Sequence, residues 1–215
     1  MDYLRQSQIY NPEEQQSEII IIGAGSTGSF TALNLAKMGV SKIKVIDFDK
    51  VEEHNIPNQF FRLSDVGKFK VEALKEIIQD FTGTEIEAEN IEIKEDYEFE
   101  IGLNTIIILC VDSIEARKLI YNKIKDFPIK ILDTRMGGEG FSLHVVDLDN
   151  EEDKKKYEES LDLETKETAC GEKAIIYTIL SIASETCNIV KMIDKGEQYP
   201  KIVRRELKQY RFIAK

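Results

Sequence analysis

The stretch "IIIIGAGSTGSFTALNLAKMGV", residues 19–40, decides the fold because it joins four branched apolar residues to a glycine-rich turn and an amphipathic helix. Gly23, Gly25 and Gly28 form the pattern G-x-G-x-x-G. A turn of this kind between a strand and a helix lets the backbone approach a phosphate, and the free N–H groups at the helix start favour anions. The stretch therefore predicts a nucleotide-binding unit, and it leaves the nucleotide open.

Strands and helices alternate along the rest of the chain. This order predicts a Rossmann-like α/β fold, with a mostly parallel sheet, helices on both faces and antiparallel strands at one end. Apolar runs predict strands at residues 19–22, 42–49, 85–93, 105–112, 129–135 and 141–148. Helical spacing of apolar residues predicts helices at residues 28–38, 70–81, 113–125 and 171–193.

The 215 residues suit a single α/β domain, which we divide into four segments. Residues 1–18 form a polar N-terminal arm, and residues 19–148 form the nucleotide-binding core. Residues 149–170 are so highly charged that we expect a crossover loop that is mobile over the surface. Residues 171–215 are predicted to hold a closing helix and a C-terminal tail.

Composition limits the classes of partner. The chain has 40 acidic and 29 basic residues and a formal net charge of -11, so nucleic acid is an unlikely main partner. The polar N-terminus does not resemble a secretion signal, and no apolar run reaches the length of a membrane span. We therefore expect a cytoplasmic protein without membrane contact.

Two nucleotides compete for the glycine turn. Asp47 follows Gly28 by 19 residues, a spacing typical of the acid that binds the ribose of a nicotinamide dinucleotide in an oxidoreductase. The next segment holds more polar and cationic groups than a dinucleotide ribose needs, and these suit a triphosphate. They are Asn55, Asn58, Gln59, Arg62, Lys68 and Lys70.

Five ordered motifs resemble the ThiF/MoeB/HesA family of ubiquitin-activating-enzyme-like adenylyltransferases. They are an N-terminal "YLRQ", the turn "GAGSTG", "DFDKVEEHNIPNQ" beside D-x-D-x-V-x-x-S-N-L-x-R-Q, "VGKFKVEAL" beside V-G-x-P-K-V-E-A, and "ILCVDSIEAR" beside a strand ending D-N-x-x-x-R. The family includes the sulfur-carrier adenylyltransferases of thiamine and molybdopterin synthesis. The resemblance runs from Tyr3 to Ile193.

The resemblance implies ATP and Mg²⁺ as cofactors and assigns roles to particular residues. Asp112 would hold the metal, Lys70 would face the phosphates, and Asp47 would bind the ATP ribose. Arg5 would reach the ATP of a neighbouring subunit, which implies a homodimer. The implied cofactor-binding set is Gly23, Gly25, Gly28, Asp47, Asn55, Asn58, Gln59, Arg62, Lys70 and Ser113.

Several of these residues also have ordinary structural interpretations. Asp112 could cap the following helix, and Lys70 could be a solvated charge at a helix start. Asn58 stands where the family has an arginine, so a phosphate-binding guanidinium is missing there, and Arg62 is a candidate replacement. His54 and His144 lack the spacing of metal ligands and are interpreted as structural residues.

The implied reaction is adenylation of a carboxylate. The expected substrate is the C-terminal Gly-Gly carboxylate of a small β-grasp protein, either ubiquitin-like or a sulfur carrier, with thiol transfer as a possible second step. Two alternatives stay open: adenylation of a carboxylate on a modified tRNA nucleoside, and a non-catalytic subunit that pairs with an active protomer.

Two further residues have competing interpretations. Arg135 in "ILDTRMGGEGF" could bind a substrate tail, or it could stand at the rim of a hairpin between two strands. Cys170 precedes the closing helix, where helix N–H groups favour a thiolate, so we expect Cys170 to be a nucleophile. The alternative interpretation is that Cys170 serves only as a small residue at a helix start. Cys110 and Cys187 are predicted to be buried small hydrophobes.

Overall fold

A computed structural model of the chain describes residues 1–164 and 175–215. Eight strands form one sheet in the order β3-β2-β1-β4-β5-β6-β7-β8. The strands are β1 Glu18–Ile22, β2 Ile43–Ile46, β3 Glu87–Glu89, β4 Thr105–Leu109, β5 Lys130–Gly137, β6 Gly140–Asp147, β7 Ile202–Glu206 and β8 Arg211–Ala214. The helices are α1 Ser26–Met38, α2 Lys70–Thr82, α3 Ile114–Ile124, α4 Glu151–Glu164 and α5 Ile176–Asp194.

The predicted fold class is confirmed. Strands β3, β2, β1, β4 and β5 pair in parallel, and β5 to β8 pair antiparallel at one end of the sheet. Alternate residues of β4 point to opposite faces: Ile106 and Ile108 pack with α1, α2 and α5, whereas Ile107 and Leu109 pack with α3 and α4. Both faces of the central strands are therefore buried, which explains their continuous apolar sequences.

The glycine turn requires the absence of side chains. Gly23 has φ +98°, and a Cβ on it would lie 2.6 Å from the carbonyl oxygen of Cys110 at the end of β4. A Cβ on Gly28 would lie 1.8 Å from the carbonyl oxygen of Gly23. The start of α1 therefore packs directly against the turn and against β4.

Within the charged segment 149–170, Glu151–Glu164 form α4 rather than the loop that we expected, and residues 165–170 lie outside the described residues. Tyr157 and Leu161, four residues apart on one helix face, are 2% exposed and pack with the sheet. The charges lie on the other faces, where Lys156 pairs with Glu152. The prediction from composition was wrong here because the side chains of Tyr157 and Leu161 are enough to dock α4 on a sheet that supplies the rest of the core.

Three other boundaries differ from expectation. The predicted strand at 85–93 pairs only at Glu87–Glu89. The closing helix α5 begins at Ile176 rather than 171, and residues 171–174 lie outside the described residues. The C-terminal tail forms β7 and β8, in which Val203 alone is buried, so the usual apolar signal of a strand is missing.

The N-terminal arm is tied to the core rather than frayed. Tyr10 is 3% exposed, and its hydroxyl donates to Asp194 at the end of α5 at 2.8 Å. Gln6 Nε2 donates to the carbonyl oxygen of Met38 at 2.6 Å. Among the described helices, none has the length and apolar character needed to cross a bilayer.

We predict that Gly28→Ala lowers the free energy of unfolding by at least about 2 kcal/mol, because the added methyl group collides with rigid backbone. Gly137→Ala is the matched control, since no atom lies within 4 Å of its Cβ position, and it should change stability by less than about 0.5 kcal/mol. Urea unfolding of both variants tests this. Equal losses of unfolding free energy in the two variants would contradict the prediction, because the close backbone contact at Gly28 would then have no effect of its own.

Candidate functional site

A cavity of about 560 Å³ opens at the carboxyl ends of the central parallel strands, a size typical of small-ligand sites. Open parallel sheets bind ligands at this edge, where the strand order reverses. The cavity brings together many of the residues that the sequence singled out. Those that line it are Gly23, Gly25, Asp47, Gln59, Lys70, Asp112 and Ser113.

One wall of the cavity is the glycine turn and the start of α1. A Cβ on Gly25 would meet only the Gln59 side chain, at 4.0 Å, so the backbone here faces open space. The first N–H groups of a helix have no acceptor within the helix and can bind an anion. The side chain of Gln59 beside this wall has a buried Oε1 without a hydrogen-bond donor in the described part of the chain. Open space, free donors and an unpaired acceptor fit a polar ligand.

Asp47 at the end of β2 braces the turn. Its two carboxylate oxygens accept from the backbone N–H groups of Ala24, at 2.6 Å, and Asp49, at 2.8 Å. Each oxygen keeps a further lone pair for a ligand hydroxyl. Asp47 therefore has a structural task in addition to its predicted contact with ribose.

Lys70 places a buried cation in the cavity wall. Its residue is 7% exposed, and its Nζ lies 2.7 Å from the carboxylate of Asp49. The backbone holds this pair together, because the N–H of Lys70 donates to the carbonyl oxygen of Asp49 at 2.9 Å. The solvated-charge interpretation of Lys70 is therefore wrong, and its contact with a phosphate stays a prediction.

Asp112 is an exposed carboxylate in the cavity wall. Within residues 1–164 and 175–215 it has no hydrogen bond or ion pair, and no three acidic, histidine or cysteine side chains form a ready-made metal site. Ser113, not Asp112, caps α3, because its hydroxyl accepts from the N–H of Ala116 at 3.1 Å. The cap interpretation is thus wrong for Asp112. Mg²⁺ in nucleotide sites needs only one or two carboxylates with substrate phosphates, so this residue fits it.

The apolar wall of the cavity was missed by the sequence analysis. Phe48, Ile91 and Ile93 line it together with Leu119 of α3. The alternation of Ile91 and Ile93 was interpreted as part of a strand, whereas both follow the last paired residue of β3. Exposed apolar residues directly after strand ends were the signal that could have identified this wall, which suits the flat face of a nucleotide base.

Other predicted residues do not line the cavity. Asn55 is buried and accepts from the N–H of Glu52 at 2.9 Å, and Asn58 is half-buried nearby. Arg62 is exposed and binds Asp80 of α2 at 2.7 Å. Arg5 is exposed on the arm. The ligand contacts of these residues stay predictions, and Cys170 lies outside the described residues.

Arg135 lies inside a hairpin, but not at its rim. It belongs to β5, is 6% exposed, and donates through Nε to Asp133 at 2.7 Å and through Nη2 to Ser160 of α4 at 3.1 Å. The hairpin itself, β5 with β6, is as predicted. The predicted position of Arg135 at the rim of the hairpin is wrong, because α4 covers its side chain. Binding of a substrate tail by Arg135 stays a prediction.

A buried ionic cluster surrounds Asp133 beneath α4. Burial alone would raise the pKa of Asp133, but Arg117 and Arg135 hold it below its usual range. The hydroxyl of Tyr157 also donates to this carboxylate, at 2.9 Å. An aspartate and two arginines within "DSIEAR" and "ILDTR" were the only sequence signal of this cluster.

The two described cysteines have unreactive thiols. Cys187 is buried in α5 as predicted, whereas Cys110 is only half-buried because it borders the cavity. Burial raises the pKa of both thiols to about 12, so both stay protonated at neutral pH.

A mostly parallel sheet with helices on both faces and a glycine turn at its switch point defines the Rossmann-like class of α/β proteins. The chain belongs to the ThiF family, whose family model matches residues 7–212. This confirms the family that the five motifs predicted.

Curated relatives match part of the chain. The NEDD8-activating enzyme E1 catalytic subunit of Arabidopsis thaliana is 45% identical over 106 residues, which are 47% of this chain and 23% of the relative. Ubiquitin-like modifier-activating enzyme 5 of Bombyx mori is 29% identical over 157 residues, 66% of this chain and 40% of the relative. The chain thus matches less than half the length of either relative.

Solved structures share the fold. PaaA superposes with a TM-score of 0.76 at 24% sequence identity, and the match covers 95% of this chain and 74% of the PaaA chain. E. coli MccB with ATP gives a TM-score of 0.76 at 15% sequence identity, and the match covers 95% of this chain and 65% of the MccB chain. These likenesses concern the fold alone.

We predict that His144 makes the protein less stable as the pH falls below about 6.5. Burial, followed by Arg135, lowers the pKa of His144 to about 4. Between pH 4 and 6.5 the unfolded chain therefore binds more protons, and stability rises with pH. Between pH 7.5 and pH 5 this histidine should contribute a loss of about 2 kcal/mol.

The test compares urea unfolding of the wild type and His144→Gln at pH 7.5 and pH 5, where the variant should lose less stability. His54→Gln is the control, because the His54 side chain is 74% exposed. A His144 variant with the full wild-type pH dependence would contradict the prediction.

Proposed function

We propose that this chain is an ATP-dependent adenylyltransferase that activates the C-terminal carboxylate of a small ubiquitin-like or sulfur-carrier protein ending in Gly-Gly. Membership of the ThiF family supports an adenylating enzyme, and relatives named as activating enzymes for NEDD8 and for a ubiquitin-like modifier support the class of substrate. The observation that carries the proposal is the carboxylate of Asp112, which has no partner among the described residues and lies in the same cavity as the glycine turn and Lys70.

In the proposed reaction, an oxygen of the substrate carboxylate attacks the α-phosphorus of ATP. The bond between that phosphorus and the bridging oxygen of the β-phosphate breaks, which yields an acyl-adenylate and pyrophosphate. Bound Mg²⁺ would neutralise charge on the phosphate oxygens.

The residues of this chain supply position and charge. Asp112 would hold the metal, the N–H groups at the start of α1 would bind phosphate oxygens, and Lys70 would offset the charge of the leaving pyrophosphate. The apolar wall at Phe48, Ile91 and Ile93 would receive the adenine. Transfer of the acyl group to Cys170 stays a prediction.

We predict that Asp112→Asn lowers ATP–pyrophosphate exchange at least about 100-fold, because the amide cannot supply the charge that holds the metal. Exchange is measured with radiolabelled pyrophosphate in the presence of candidate β-grasp proteins ending in Gly-Gly. Glu115→Gln is the matched control: this exposed carboxylate lies in the first turn of α3 but does not line the cavity.

Each outcome separates the alternatives. Exchange only with a tRNA substrate would favour the nucleoside alternative, and no exchange with either substrate would favour a non-catalytic subunit. A melting temperature raised by NAD but not by Mg²⁺–ATP would instead favour an NAD-dependent oxidoreductase. Near-normal exchange in Asp112→Asn would remove Asp112 from the metal site.

We also propose a homodimer in which Arg5 completes the site of the partner copy. The anchored arm leaves Arg5 exposed and without an ion pair in the described part of the chain. Such a cation is available to a second protomer, and an arm shared in this way requires a symmetric pair.

Mixing Arg5→Ala with Asp112→Asn should restore up to about one quarter of wild-type exchange, because half of random dimers are hybrids and each has one intact site. Mixing Gln8→Ala, also on the exposed arm, with Asp112→Asn controls for changes in the arm itself. No recovery, despite subunit exchange shown by mass spectrometry, would contradict action between subunits.

A further inference from the structure

A continuous set of buried hydrogen bonds leads from α4 to the loop that carries Asp112. The hydroxyl of Tyr157 and the Nε of Arg135 donate to Oδ2 of Asp133, at 2.9 Å and 2.7 Å. The other oxygen, Oδ1, accepts from Nη1 of Arg117. A single carboxylate therefore joins α4 to Arg117.

Arg117 holds the backbone directly before Asp112. Its Nη2 donates to the carbonyl oxygen of Val111, and also to that of Thr134 at 3.1 Å. Val111 follows the last backbone bond between β4 and β1, from the N–H of Cys110 to Ile22 at 2.8 Å. The guanidinium thus fixes Val111 where the sheet no longer holds the chain.

The cluster depends on the docking of α4. Asp133 is fully buried and Arg117 is 6% exposed, so removing one partner leaves a charge without full compensation. Besides Tyr157, the helix is joined to α3 by Tyr121, whose hydroxyl donates to Glu158 at 2.9 Å, and by Lys118 with Asp162. Among the described side chains of α4, Tyr157 alone bonds directly to the carboxylate that orients Arg117, whereas Ser160 reaches that carboxylate through Arg135.

We propose that Arg117 and Asp133 are positioning residues for Asp112, and that the docking of α4 through Tyr157 sets the position of Asp112. The role in catalysis rests on the proposed adenylation, whereas the mechanical link does not. A displaced α4 would free Asp133, allow Arg117 to release Val111, and move the carboxylate that holds the metal. Contacts outside the metal's own ligands commonly change metal affinity by about 10- to 100-fold.

The matched variants are Tyr157→Phe and Tyr121→Phe. Both tyrosines are 2% exposed, their rings contact each other with centroids 5.2 Å apart, and each loses one hydroxyl bond to a carboxylate. Only Tyr157→Phe removes a bond to Asp133. A loss caused by weakened packing of α4 on α3 should appear in both variants.

The first measurement is amide hydrogen exchange of residues 110–113 without ligand. We expect faster exchange there in Tyr157→Phe than in Tyr121→Phe, although both substitutions are distant in sequence. Equal exchange in wild type and Tyr157→Phe overturns the inference, whatever the chain catalyses. Equal acceleration in both tyrosine variants also overturns it, because the effect is then general loosening of α4.

The second measurement is the Mg²⁺ concentration that gives half-maximal pyrophosphate exchange. Tyr157→Phe should need about tenfold more Mg²⁺, and Tyr121→Phe should stay within about twofold of wild type. An unchanged Mg²⁺ requirement in Tyr157→Phe overturns the link to Asp112. If the wild type catalyses no exchange, the proposed function fails, and hydrogen exchange alone decides the inference.

Discussion

The site depends on one close approach of backbone to backbone. The start of α1 lies against the carbonyl oxygen of Gly23, and Gly23 lies against that of Cys110 at the end of β4. Because no side chain separates these segments, the free N–H groups of α1 and the carboxylate of Asp112 face the same cavity. Asp47 holds this arrangement by accepting from Ala24 inside the turn. Without glycine at positions 23 and 28, the two halves of the site would be pushed apart.

The central sheet could be predicted because strands buried on both faces leave an unambiguous pattern in the sequence. The strands β1 and β4 are continuous apolar runs, and their residues pack against helices on either side. The outer elements leave weaker patterns. Among the residues of α4 whose side chains the structure describes, Tyr157 and Leu161 alone join the core, and in β7 only Val203 does, so each element depends on tertiary contacts that no local pattern reports.

The site was predictable where backbone geometry alone fixes a side chain. Asp47 and Asp112 follow the ends of parallel strands, which meet at one edge of the sheet, and the structure brings both to the cavity. Side chains on turns were less predictable, because several acceptors compete for them. Arg62 binds Asp80, and Asn55 caps its own turn, contacts that depend on local geometry rather than on spacing in the sequence.

The attachment of the N-terminal arm has a consequence for folding during synthesis. Asp194 accepts from the hydroxyl of Tyr10 and from the N–H of Ser17, residues that are 184 and 177 positions earlier in the chain. Strand β1 likewise cannot pair with its neighbour β4 until the residues from Thr105 onward have been made. On the ribosome these bonds between the arm and Asp194 therefore form only after α5 has emerged, whereas the bond of Gln6 to Met38 needs only α1. A helix that is made after the arm thus completes the attachment of the arm to the core.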